Sequence, residues 1–168
     1  LYWAGAKTVH HNFYGGLLYH LYRMVRMGHV LLFIYPLHKD VLITGILLHD
    51  IGKLKIPAEV LNKPGKYTDE EFALVKQHPK FGYDILKSLP LDSHVKKAVL
   101  CHHERSDGSG YPTGLSQSDI DEYAAIVSIA DVYDAMTAAR SYRAPLCVFQ
   151  VINNFEHDGL SKYNPKFI

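Results

Sequence analysis

The sequence predicts an all-α domain, a bundle of about six to eight helices. Three observations carry that expectation. Apolar residues recur at three- and four-residue intervals rather than alternating, which is the period of a helix and not of a strand. Proline, glycine and short polar residues stand where helices would start and stop. The 168 residues are 48% apolar, enough for one compact domain that buries roughly 70% of its unfolded surface, and too apolar for a disordered chain.

Taken in order, the first helix is expected over Val9 to Met27, with Leu17, Leu21, Met24 and Val25 on its apolar side and Gly28 as its stop. A second, Lys39 to Ile51, carries Leu42, Ile46 and Leu47 inward and ends at Gly52. Pro57 begins a short helix over Ile56 to Leu61, and Lys63-Pro64-Gly65-Lys66 is a turn. Thr68 can cap the next helix, with Glu71 three residues on to complete a capping box. That helix must kink or restart near His78-Pro79, because proline lacks a backbone donor and clashes with the preceding turn. Further helices are expected from Asp92 to His103, Ser118 to Ala139 and Pro145 to His157.

Composition narrows the function. A formal net charge of +1 offers no broad electrostatic footprint for duplex nucleic acid or an anionic membrane. An anionic substrate must then be captured locally. Cys101 and Cys147 are the two cysteines, far apart and without CxxC spacing, so a reducing, cytoplasmic setting is the expectation. The longest apolar run, Val30 to Leu37, is too short to span a bilayer and contains Pro36. The first residue is not Met, and the expectation is one domain, 1–168, from a longer multidomain protein.

Eleven histidines are many for this length, and their placement matters more than their number. His49 and Asp50 are adjacent after Leu47 and Leu48, where an ionised carboxylate is costly without a cation or strong donors. Adjacent helical residues diverge by about 100°, so the pair suits a carboxylate bridging two ions better than a one-sided clamp. Alone, it also fits a helix-end histidine beside a solvated aspartate. His102 and His103 repeat the logic, and alone they also fit a wet helix terminus. His78 sits at a helix break, His20 lies among Leu17, Leu21 and Met24, and Asp131 follows the apolar run 125–130. Each could be simple packing. Together, five imidazoles and two carboxylates in apolar surroundings suit first-row metals and not Ca²⁺.

The text around these residues resembles an HD-GYP domain, a branch of the HD metallophosphohydrolases that hydrolyse cyclic di-GMP. The matching runs are His49-Asp50-Ile51-Gly52-Lys53, Ile56-Pro57, Leu61 to Gly65, His78-Pro79, His102 to Pro112, Ala130 to Thr137 and Arg140-Ser141-Tyr142-Arg143. The His-His-Glu-Arg-x-Asp-Gly-x-Gly-Tyr-Pro run is the most specific of them.

The resemblance implies an HD-domain bundle with His20, His49, Asp50, His78, His102, His103 and Asp131 as metal ligands, Asp50 bridging. It implies Lys53, Arg140 and Arg143 on substrate phosphate, and Gly110, Tyr111 and Pro112 in a loop beside the cleft. Gly16 stands where some relatives carry a glutamate, which points to two divalent ions, Fe or Mn ahead of Zn, Co or Ni. His10 and His11 rival His20 by position, with a supporting role the alternative. Two ions about 3.5–4 Å apart would answer the charge problem of phosphodiester cleavage, giving linear pGpG first, with GMP left open as a further product. The implied partners are a cyclic dinucleotide, a regulatory or sensor domain in the full-length chain and a second copy of the domain. The alternatives are a phosphohydrolase for another cyclic dinucleotide or a short oligonucleotide, and a catalytically silent nucleotide-binding or interaction module. His29, His38, His94 and His157 read as surface or packing residues.

Overall fold

The computed structural model describes residues 16–138, 144–159 and 161–167. Eight α-helical segments are found among them: α1 Gly16–Ile34, α2 Lys39–Leu48, α3 Ala58–Leu61, α4 Asp69–Val75, α5 His78–Leu86, α6 Ser93–Cys101, α7 Glu122–Thr137 and α8 Val148–Asn154. A 3₁₀ turn, Ile51–Lys55, follows α2, and a π-helical turn, Phe155–Gly159, follows α8. Among the described residues there is no strand; Asp107 and Ser116 form an isolated bridge. The all-α expectation holds.

The central element is α7, whose residues Ala124, Ile126, Val127 and Ala130 are buried against Met24 of α1, Leu42 and Ile46 of α2 and Ala98 of α6. A second apolar cluster joins Val132 and Met136 of α7 to Val151, Phe155 and Tyr163. α6 packs on both α2 and α5, and the 3₁₀ turn packs on α5. No described helix is long and apolar enough to cross a membrane.

Several boundaries differ from the sequence expectation. α1 does not stop at Gly28 but runs through it to Ile34. Gly28 is buried against α2, and a Cβ there would lie 2.7 Å from Ile46 Cδ1, so this glycine permits close helix approach instead of ending a helix. α2 ends at Leu48, with His49 as its C-cap. Gly52 lies so close to α5 that a Cβ would overlap the His78 carbonyl oxygen. α7 starts at Glu122 rather than Ser118, because Asp121 accepts the Tyr123 N–H and caps it. α8 is shorter than Pro145 to His157, since the chain switches to a π-helical turn at Phe155. Leu17 and Leu47, expected inward, are 53% and 48% exposed.

Other expectations are met. The Thr68 hydroxyl accepts the Glu71 N–H at 3.3 Å while the Glu71 carboxylate accepts the Thr68 N–H at 2.7 Å, a complete capping box. The chain restarts at His78, with Pro79 in the first turn of α5, where a missing N–H costs nothing. Pro57 caps α3. Residues 9–15, with His10 and His11, lie outside the described residues.

Candidate metal centre

Helix ends deliver the histidines. His49 closes α2, His102 closes α6 and His78 follows the end of α4. In each, Nδ1 bonds the carbonyl three residues back: His49 to Ile46 at 2.7 Å, His78 to Val75 at 2.8 Å and His102 to Val99 at 2.9 Å. A carbonyl oxygen only accepts, so each Nδ1 carries the hydrogen and donates it. With Nδ1 so engaged, each ring turns its Nε2 inward. His78 Nε2 and His102 Nε2 stand 3.2 Å apart. Two lone pairs at that distance repel unless a cation lies between or beside them, so this donor set fits a metal ion.

Two donor groups form. His20, His49 and Asp50 make one, and His78, His102 and His103 the other; within each, the ligand atoms lie within 4.8 Å of one another. Asp50 reaches both groups. Its Oδ2 is 3.3 Å from His49 Nε2, and its Oδ1 is 3.2 Å from His78 Nε2 and 4.0 Å from His102 Nε2. Lys53 Nζ lies 2.6 Å from Asp50 Oδ2, at the mouth of the cluster. Asp131 Oδ1 is 3.7 Å from His20 Nε2. All seven residues expected to bind metal thus converge, and the four imidazoles of His20, His49, His78 and His102 are fully or almost fully buried.

Burial drives the electrostatics. It pushes the His102 and His103 imidazoles well below their usual pKa, and the neighbouring imidazoles add to that. For His49 burial acts the same way, but the Asp50 charge and hydrogen bond outweigh it and raise the value. Neutral His102 and His103 are the form that binds metal. Cys101, also buried, has its thiol pushed up to about 12 by burial and belongs to neither donor group.

The sequence reading missed two carboxylates. Asp134, one turn after Asp131 on the same face of α7, accepts His20 Nδ1–H at 2.6 Å through Oδ2, and Arg23 Nε lies 2.6 Å from its Oδ1. It holds the first ring as a carboxylate holds a metal-bound histidine, fixing the tautomer and the ring's direction. The i,i+3 spacing of two aspartates within a buried helix was the available signal. Glu104 is 2% exposed and accepts the backbone N–H groups of Thr113, Gly114 and Leu115 at 2.7, 3.0 and 2.9 Å. It clamps the loop that carries Tyr111, whose ring stacks on His103 with centroids 4.7 Å apart.

Beside the cluster lies a cleft of about 270 Å³, bounded by His103 and Asp131, with Gly110 and Tyr111 in its wall. Pro112 follows Tyr111 outside that lining. Arg140 and Arg143 lie outside the described residues. His29 and His38 are exposed, His94 bonds Asp121 at 2.8 Å and His157 is exposed, so none of these four joins the cluster.

The family model for the HD domain matches residues 37–167. The chain belongs to the HD domain family. Its resemblance to the HD-GYP branch holds as well, since the HD domain relatives include a cyclic di-GMP phosphodiesterase of Pseudomonas aeruginosa, 47% identical over 109 residues, covering 64% of this chain and 26% of that protein. A 3'3'-cGAMP-specific phosphodiesterase of Vibrio cholerae is 41% identical over 122 residues, covering 73% of this chain and 28% of that protein. Among solved structures, an HDG"Y"P protein from Bdellovibrio bacteriovorus superposes with a TM-score of 0.70 at 25% identity, covering 90% of this chain and 49% of that one. The HD domain here thus spans roughly a quarter of the length of these two curated relatives.

Proposed function

We propose that this HD domain is a metal-dependent phosphodiesterase that hydrolyses cyclic di-GMP to linear pGpG. The observation that carries the reading is Asp50, whose two oxygens face two imidazole groups at 3.3 and 3.2 Å. One carboxylate between two donor sets is what a two-ion centre requires. His20, His49, His78, His102, His103 and Asp131 would complete it, with two divalent ions, Fe or Mn first. Such ions polarise phosphoryl oxygens and make water nucleophilic near neutral pH.

The chain's own groups do the rest. Lys53 keeps a positive charge beside Asp50, where a phosphoryl oxygen would gather negative charge. Tyr111, held flat on His103, offers an aromatic face at the cleft on which a guanine can stack. Arg140 and Arg143 are proposed as further phosphate contacts. A regulatory domain elsewhere in the protein and a second copy of this one are the proposed protein partners.

The relative specific for 3'3'-cGAMP favours one second reading, in which the same centre cleaves a mixed cyclic dinucleotide. Both readings are tested on domain purified without oxygen and supplied with Mn²⁺ or Fe²⁺. Cyclic di-GMP and 3'3'-cGAMP are offered in competition, and metal content is measured alongside. Asp50→Ala is expected to lose bound metal and at least about a hundredfold in kcat, beyond the loss typical of a group supporting a ligand. Near wild-type turnover in that variant, or none with either dinucleotide in any metal, refutes the proposal.

A further inference from the structure

The cleft beside the metal centre holds more positive charge than cleavage of one phosphate uses. Lys76, Arg105 and Lys162 all line it, and each is half-buried. Lys76 Nζ lies 4.5 Å from the Phe72 ring centroid and 5.7 Å from that of Tyr111. Arg105 donates through Nη1 to the Glu104 carbonyl at 2.9 Å and to Ser128 Oγ at 2.8 Å, with its guanidinium 4.9 Å over the Tyr163 ring. The Lys162 carbonyl accepts the Ser106 N–H at 2.8 Å, which ties the lysine's segment to the one carrying Arg105. Among the described residues none of these three cations makes an ion pair with a carboxylate. Asp131, on the side of the metal centre, is the sole carboxylate in the described lining. Asp107, which precedes the loop glycines, is tied to Ser109 through its N–H and hydroxyl at 2.9 and 2.6 Å.

Three cations that make no direct ion pair with a described carboxylate, Lys162 feeling the Asp107 charge only at longer range, are partly withdrawn from water between aromatic walls and make a pocket for a doubly charged anion. Its volume of about 270 Å³ is near the low end of the roughly 300–1,000 Å³ of small-molecule sites, room for about one nucleotide unit within the cleft. We infer that Lys76, Arg105 and Lys162 form a subsite for the terminal 5'-phosphate of a linear dinucleotide, the product of the first cleavage. Bound there, the linear product keeps its remaining diester next to His103 and Asp131. The inference rests on the proposed phosphodiesterase reading and extends it from one cut to two.

Two uncleavable analogues test it without turnover. Both are GpG with an uncharged methylphosphonate in place of the internal diester, one with a 5'-phosphate and one without. Calorimetric titration of the metal-loaded domain is expected to show the phosphorylated analogue binding at least about tenfold tighter, the scale of one charge-assisted contact. Lys76→Gln and Lys162→Gln should each cut that advantage severalfold, and the double variant should remove it, while the unphosphorylated analogue binds all forms alike. Neither lysine side chain makes a hydrogen bond or a direct ion pair among the described residues, and a thermal melt of each variant confirms folding. Equal affinities in the wild type, or an advantage that survives in the double variant, overturn the inference. Should cyclic di-GMP still be hydrolysed in that case, the function stands and only the subsite falls. Should no cyclic dinucleotide be hydrolysed while the phosphate advantage persists, the function falls and the anion subsite stands.

Discussion

Asp134 shows how much a single side chain outside the expected ligand set can matter. It touches His20 at 2.6 Å and Arg23 at 2.6 Å, so it ties the first ring of the centre to a neighbouring cation and sets its direction. Asp134→Ala is expected to lower metal affinity or activity about 10–100-fold, the usual loss when a carboxylate behind a metal-bound histidine is removed. Asp134→Asn should recover part of it, because the amide oxygen can still accept from Nδ1. Unchanged metal affinity in Asp134→Ala would remove the aspartate from the centre. The proposed ligands were legible because residues such as His49-Asp50 and His102-His103 sit inside specific runs of text. Asp134, Glu104 and Lys162 were not, because their partners lie 114, about ten and over fifty residues away in sequence, and only folding brings them together.

Helix starts were read better than helix ends. Thr68 and Glu71 announce their capping box within four residues, so local chemistry decides the outcome. Glycine is ambiguous by contrast, since it can end a helix or let another backbone come near. Gly28 and Gly52 do the second, and both decisions belong to a neighbouring helix that the local text does not reveal. Gly52→Ala places a methyl group against the His78 carbonyl, and α5 must move to admit it. The expected result is a loss of about 1–3 kcal/mol, the cost of overpacking, together with weaker metal binding, because His78 shifts with the helix. A chemical melt and a metal titration check both. A variant with wild-type stability and metal affinity would show that the contact between the 3₁₀ turn and α5 is slack.

For the molecule as a whole, the centre is also a fastener. Its residues come from α1, α5, α7 and the segments that follow α2 and α6, so an ion held there would join helices from well-separated parts of the chain. Removing metal with a chelator should therefore cost stability and not just turnover. For an ion at about 100 times its Kd the loss is roughly 2.7 kcal/mol, on the order of 5–10 °C in Tm for a domain of this size. A melting temperature indifferent to chelation and to added Mn²⁺ would contradict the proposed centre.

The helix ends that supply His49 and His102 have a consequence for the order of arrival at the site. α2 and α6 both finish at the cluster, and the carbonyl end of a helix carries roughly half a negative charge. Asp50 and Asp131 add full ones. Before any ion arrives, these charges make the histidine–aspartate cluster itself attractive to cations, while the cleft beside it keeps the positive lining of Lys76, Arg105 and Lys162. At the cluster itself a phosphate gains from approaching only once an ion has reversed that sign, so the expected order there is metal first and phosphate second.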